Sequence, residues 1–302
     1  MKIGLIDVDG HNFPNLPLMK LSARHKAKGD SVAWYEHLQH WNTEFDIVYM
    51  SKVFTFTPDY PYSPNAKEII KGGTGYYYPS GGECLPREIE HIYPDYSLYP
   101  QHENTAYGFL TRGCPRGCEF CLVAKKEGLR SVKVADLSEF WQGQKEIKLL
   151  DPNITACKDW KELFQQLIDS SAWIDFTQGM DIRLMTAEKA EMLKQMKVKM
   201  IHFAWDSYSD KDIIIPKFKE FKKITGWDKR KMSVYVLTNF NTTHEQDLER
   251  IYTLRDLGYG PYVMVYEKEK LPPRHITKQL ARWVNMRATF QTVENFKDYL
   301  DK

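Results

Sequence analysis

The chain has 302 residues, with 42 Lys and Arg against 40 Asp and Glu, and a formal net charge of +2. That length supports one large domain or two modest ones with ample core, and the balanced charge points to no particular partner. No apolar run approaches the roughly 18 residues of a membrane span, so no membrane partner is expected and a cytoplasmic location is the expectation.

The opening Met1-Lys2-Ile3-Gly4-Leu5-Ile6-Asp7 reads as a first strand, over 2–8, rather than a secretory signal. A helix near 16–28 comes next, stopped by Gly29, and then strands at 31–35 and 46–51. This order predicts a small Rossmann-like α/β unit over residues 1–100. The Gly72–Gly82 stretch, with three tyrosines among its glycines, reads as loop, and the Pro- and Tyr-rich 94–104 as linker. From residue 105 a regular alternation begins. Strands fit at 105–111, 145–150, 173–177, 199–205, 232–237 and 261–266, with helices near 135–142, 159–169, 186–196, 210–224, 244–257 and 274–286. Six such units predict an α/β fold with a parallel sheet and right-handed crossovers, an open partial (β/α)6 barrel over 101–270. Residues 271–302 form a C-terminal helical extension, with a last helix near 292–301.

In a parallel sheet of this kind the chemistry belongs at the C-terminal ends of the strands. There the sequence places Arg112 and three cysteines, then Asp151 and Asn153, then Gln178, Asp181 and Arg183, then Asp206 and Ser207, then Asn239 and Asn241, and finally Glu267. Polar βα turns alone say little. On the same rim as a cysteine cluster they define a candidate site.

The segment Gly113-Cys114-Pro115-Arg116-Gly117-Cys118-Glu119-Phe120-Cys121 holds three of the five cysteines in a Cys-x3-Cys-x2-Cys spacing. Pro115 and Gly117 disfavour a continuous helix, so the segment wraps as a loop able to turn three thiolates toward one soft metal centre. A cluster of four irons held by three thiolates keeps one iron open to an outside ligand. A structural zinc site is the alternative, with Cys84, Cys157 or His102 as a distant fourth ligand.

The cysteine loop, placed after the first strand of a six-unit α/β sheet, resembles the radical S-adenosylmethionine superfamily over about residues 105–270. The resemblance implies a [4Fe-4S] cluster on Cys114, Cys118 and Cys121, and S-adenosylmethionine cleaved reductively to a 5′-deoxyadenosyl radical that abstracts a substrate hydrogen. Phe120 matches the aromatic that precedes the last cysteine. Asp151-Pro152-Asn153 resembles a motif that holds the methionine amino group in cobalamin-type and methylthiotransferase-like branches. Arg183 suits the methionine carboxylate and Asp206 the ribose hydroxyls. Thr238-Asn239-Phe240-Asn241 departs from the family's Gly-rich turn, which puts the adenine contact in doubt. The resemblance also implies a reductant such as flavodoxin or ferredoxin.

Cobalamin-type members carry a Rossmann-like domain ahead of the cluster, and residues 1–100 look like a shortened version. Asp9-x-His11 and Gly72-Gly73 are similar to its motifs, but the glycine spacing differs and only about three strands are read. Cobalamin is therefore not the favoured occupant.

Cys157 is read at the start of the second barrel helix, where the helix dipole would lower its pKa; burial there is the plainer role. Lys125, Lys126, Arg130 and Lys133 flank the cysteine loop. Arg282, Trp283, Asn285 and Arg287 share a C-terminal helix. Residues 189–231 hold 12 basic and 6 acidic side chains, a solvated face or a polyanion surface. The leading function is a radical S-adenosylmethionine enzyme of unassigned substrate. An RNA-modifying methyltransferase or methylthiotransferase is the second reading, weakened by the lack of cysteines for a second cluster. A zinc-stabilised nucleic-acid-binding protein is the non-enzymatic rival.

Overall fold

The computed structural model describes residues 1–301. Strand β1 (Lys2–Asp7) is buried at Ile3, Leu5 and Ile6, because it runs through the middle of a sheet covered on both faces. That sheet is wholly parallel, in the order β2 (Ser31–Trp34), β1, β3 (Phe45–Ser51), β4 (Ala66–Gly72). The helix Leu16–Ala27 packs on one face, with Asn15 capping it by accepting from the Leu18 N–H.

β4 was not expected from the sequence, where only three strands are read. Its Ala-Lys-Glu-Ile-Ile-Lys-Gly is solvent-exposed along almost its whole length. An edge strand uncovered on both faces has no buried side to mark with alternation, and lysines suit such an edge.

The 94–104 stretch is a packed seam, not a loose linker. It forms 3-10 turns at Tyr96–Leu98 and Pro100–His102, and Tyr99 between them is fully buried, donating to Asp7 Oδ2 at 2.7 Å. Tyr96 donates to the Phe140 carbonyl at 2.9 Å and accepts from the Tyr107 N–H at 3.0 Å, so the seam is stitched to both sheets.

The larger sheet contains β5 (Thr105–Gly108), β8 (Glu146–Leu149), β9 (Trp173–Met180), β10 (Lys197–Ala204), β11 (Met232–Thr238) and β12 (Gly260–Val265), paired in chain order and all parallel. Between β5 and β8 sits a two-stranded antiparallel ribbon, β6 (Thr111–Arg112) with β7 (Val132–Lys133). Side chains such as Ile147, Ile174, Phe176, Val198, Phe203 and Val234 bury one face beneath helices that include Trp160–Ser170, Ala187–Gln195 and Lys211–Thr225. Because every strand runs the same way, all six βα turns emerge at one edge. The helix read near 135–142 is only a 3-10 turn, Leu137–Glu139, held by a capping box between Asp136 and Glu139. No helix among the described residues is long and apolar enough to cross a membrane.

Candidate cofactor site

The cysteine loop is an excursion closed at its base by the β6–β7 ribbon, which pairs Arg112 with Val132. Glu127, ending a short helix (Val123–Glu127), ties the loop from inside. Its two carboxylate oxygens accept from Arg112 Nη1 at 2.8 Å and from the Gly113 N–H at 3.0 Å. Gly113 has φ +81°, and a Cβ there would lie 2.1 Å from the Arg130 carbonyl oxygen, so only glycine turns the chain into Cys114. The Cys114 N–H then donates to Gly128 O, and the Cys121 N–H to Cys118 O.

Cys114, Cys118 and Cys121 line one cavity of about 170 Å³ at the C-terminal edge of the larger sheet. Burial pushes the Cys121 thiol up, and the neighbouring Cys118 and Cys114 add to the shift. Three thiols this close resist becoming thiolates together unless a cation joins them. The Asn153 amide donates to Cys114 Sγ at 3.5 Å. Among the described residues no three His, Cys, Asp or Glu side chains converge on a point that would hold a single metal ion.

A second wall is charged. Arg183 Nε donates to Asp181 Oδ1 at 2.7 Å, and its Nη1 to Asp210 Oδ2. Arg116, from the cysteine loop, reaches the same two carboxylates at 3.8 and 3.6 Å. Two guanidinium groups and two carboxylates thus share the cavity lining with the three cysteines. Asp206, at the end of β10, lies beside them. Burial pushes its pKa up to about 6, opposed by Arg250, by the Leu237 backbone N–H, and by Arg183 and Arg116. The third wall is aromatic: Phe120 meets Phe240 edge-on at 5.5 Å, and Phe240 meets Tyr266 at 5.0 Å.

Of the residues named from sequence, the structure brings Cys114, Cys118, Cys121, Phe120, Asn153, Arg183 and Asp206 to this one cavity. Asp151 lies outside its lining. Its carboxylate faces inward, accepting from the N–H groups of Leu110 and Thr111 and from Thr111 Oγ1 at 2.6 Å. Burial pushes its pKa up to about 6 against those hydrogen bonds. Asp151 therefore fixes the chain between β5 and β6, where the cysteine loop begins.

Sequence reasoning missed Phe240, Asp210 and Arg250. Phe240 stood in a turn noted only for lacking glycines. Arg250, on helix His244–Asp256, is fully buried and carries no signal in a helix full of charges. It donates to the carbonyls of Trp205 at 2.6 Å, Asp206 at 3.1 Å and Leu237 at 2.7 Å, joining the ends of β10 and β11.

Other expectations are corrected. Cys157 comes after a 3-10 turn, Ile154–Ala156, rather than starting a helix, and burial pushes its thiol up instead of a dipole pulling it down. Most basic residues of 189–231 are exposed, as a solvated face would have them, but Lys189 is buried, its Nζ donating to Thr155 O and Leu184 O, and half-buried Lys222 donates to Leu257 O. Arg282, Trp283 and Asn285 lie on helix Ile276–Asn285 but Arg287 opens a separate helix, Arg287–Thr292; Trp283 is fully buried and Asn285 bonds both backbone groups of Val263, so the first of these helices braces β12. His11 stacks on Trp34 at 4.1 Å and packs edge-on against Tyr99.

No family model matches the chain, and no curated protein matches it. Among solved structures, Streptococcus suis SuiB bound to S-adenosylmethionine is 14% identical with a TM-score of 0.41, covering 62% of this chain and 43% of that one. SuiB bound to precursor peptide SuiA is 13% identical with a TM-score of 0.42, covering 65% and 48%. The chain thus spans about half the length of the SuiB chains it matches.

Proposed function

We propose that this chain is a radical S-adenosylmethionine enzyme that holds a [4Fe-4S] cluster on Cys114, Cys118 and Cys121. One observation carries the reading: three thiols and a guanidinium–carboxylate cluster line a single cavity at the C-terminal edge of a parallel sheet. The donor set suits the cluster. Three cysteines from one loop suit a cluster with one iron open to an outside ligand, whereas a structural zinc site closes with four ligands. What a bound cluster supplies is one electron to the sulfonium of S-adenosylmethionine, giving methionine and a 5′-deoxyadenosyl radical that takes a hydrogen atom from substrate.

The chain's own residues bind and orient. Arg183 and Arg116 offer forked donors to the methionine carboxylate, which would displace Asp181 or Asp210 from one of them. Asn153 stands on the cysteine side of the cavity, within reach of the amino group. Asp206 accepts from ribose hydroxyls. Phe120 and Phe240 present ring surface to the adenine, a role for the Thr238–Asn241 turn in place of glycines. The six consecutive strands suit a partial barrel, and the smaller sheet a Rossmann-like unit. The electron comes from a flavodoxin- or ferredoxin-type donor.

The test is anaerobic purification and reconstitution. The protein should turn brown with about four iron and four sulfide per chain, and with dithionite release 5′-deoxyadenosine. Stoichiometric zinc with no visible absorbance would end this reading.

A further inference from the structure

β9 does not pair evenly with β10. Ile201 aligns with Phe176, but the next residue, His202, aligns with Gly179, so two residues of β9, Thr177 and Gln178, bulge out of the ladder. A bulge strips backbone carbonyls of their strand partners. Here two side chains bond carbonyls at the bulge. His202 Nδ1 bonds the Phe176 carbonyl at 2.8 Å, and the Tyr235 hydroxyl donates to the Thr177 carbonyl at 3.0 Å. A carbonyl has no proton to give, so His202 carries its hydrogen on Nδ1. The two rings stack on each other, 5.0 Å apart and 10° from parallel.

The bulge sets the path of the chain into the site. Gly179 and Asp181, just beyond it, line the cavity. A Cβ on Gly179 would sit 3.3 Å from Ala204 Cβ and 3.4 Å from the Tyr235 ring, so the rim passes close over Tyr235. Asp181 in turn holds Arg183 through both its backbone N–H and its Nε.

We infer that His202 and Tyr235 are positioning residues: they lock the β9 bulge and thereby set where Asp181 and Arg183 meet the carboxylate of S-adenosylmethionine. The inference rests on the proposed function. It requires the donor atoms and not merely the ring volumes, which separates it from a packing role.

The experiment is equilibrium binding of S-adenosylmethionine to the anaerobically reconstituted protein, with hydrogen exchange of the 177–183 amides read on the same samples. Tyr235→Phe and His202→Phe keep the stack and lose a donor. Each should raise the Kd about three- to tenfold, the size of one hydrogen bond, and speed exchange at 177–183. The iron content and the rate of cleavage at saturating cofactor should stay as in the wild type. His202→Asn restores an N–H near the Nδ1 position and should recover most of the affinity. Wild-type affinity and exchange in Tyr235→Phe and His202→Phe, or no recovery in His202→Asn beside a weakened His202→Phe, would overturn the inference alone. A wild-type protein that takes up a cluster but binds no S-adenosylmethionine would overturn the proposed function, and this inference with it.

Discussion

Replacing Arg250 by Leu tests how the site's framework is held. The side chain is wholly shielded from water, and its guanidinium bonds three backbone carbonyls and Asp247 Oδ1, the last at 2.6 Å. Leucine fills much of the space but leaves the Asp247 carboxylate, 2% exposed, without its cation. Removing one partner of a buried ion pair costs about 3–5 kcal/mol, because the other charge stays behind. The carbonyls of Trp205 and Leu237 also lose a donor, at about 1–3 kcal/mol each when nothing replaces it. Relaxation of the β10 end and the hydrogen bond from Thr242 Oγ1 to Asp247, at 2.6 Å, absorb part of this. The expected net loss is about 5 kcal/mol. At roughly 2 °C per kcal/mol for a large domain, calorimetry of the apo-protein should show Tm lower by about 10 °C. The double variant Arg250→Leu with Asp247→Leu removes the stranded charge and should regain about half of that. A single-variant drop below about 3 °C, or a double variant no better than the single, would refute the account.

Cys114→Ala, Cys118→Ala and Cys121→Ala should each abolish iron binding in reconstituted protein, while Cys84→Ala, altering an exposed thiol, should retain it; iron and sulfide assays decide. Gly113→Ala must adopt a positive φ and move the Arg130 carbonyl, so cluster yield should fall sharply while far-ultraviolet circular dichroism stays unchanged. Arg183→Ala should weaken S-adenosylmethionine by about 1.5–3 kcal/mol, the value of a charged hydrogen bond, read by equilibrium binding. Asp151, with its pKa near 6 when folded and an ordinary carboxylate value when unfolded, keeps its proton longer in the native state. Native stability should therefore fall as pH rises from about 4 to 6. The stability advantage of wild type over Asp151→Asn should shrink by up to about 3 kcal/mol across that window in urea titrations, and a difference constant with pH would contradict the shift.

The larger sheet was legible because its signals agree. Short apolar runs mark β8 to β12, turn residues fall between them, and helices such as Trp160–Ser170 and Ile276–Asn285 carry a clear 3.6 periodicity. The cysteine loop was legible for a different reason, since its Cys-x3-Cys-x2-Cys spacing can be read without any knowledge of the fold. Where these two agreements met, the rim could be named: Asn153, Arg183 and Asp206 all lie just past the ends of strands, and those ends share an edge.

What stayed hidden is what sequence periodicity cannot encode. A carboxylate after a strand reads the same whether it points to a ligand or back at the main chain. Asp151 and Asp206 both stand just beyond a strand with the same chemistry, yet one bonds Leu110 and Thr111 and the other lines the cavity. Nor does a histidine in mid-strand announce a bulge. His202 and Tyr235 sit where alternation predicts residues on the face away from the helices, and their role arises only from the two-residue slip opposite them in β9. The same holds for Arg250, whose neighbours in sequence are ordinary helix-surface charges. Its function arises because the carbonyls of Trp205, just past β10, and Leu237, near the end of β11, both turn toward it, and one planar, permanently charged group can bond both at once. The cavity is thus built in two layers of different visibility: cysteines and rim residues whose spacing and place after strands leave a motif, and the braces behind them set by three-dimensional register that leaves none.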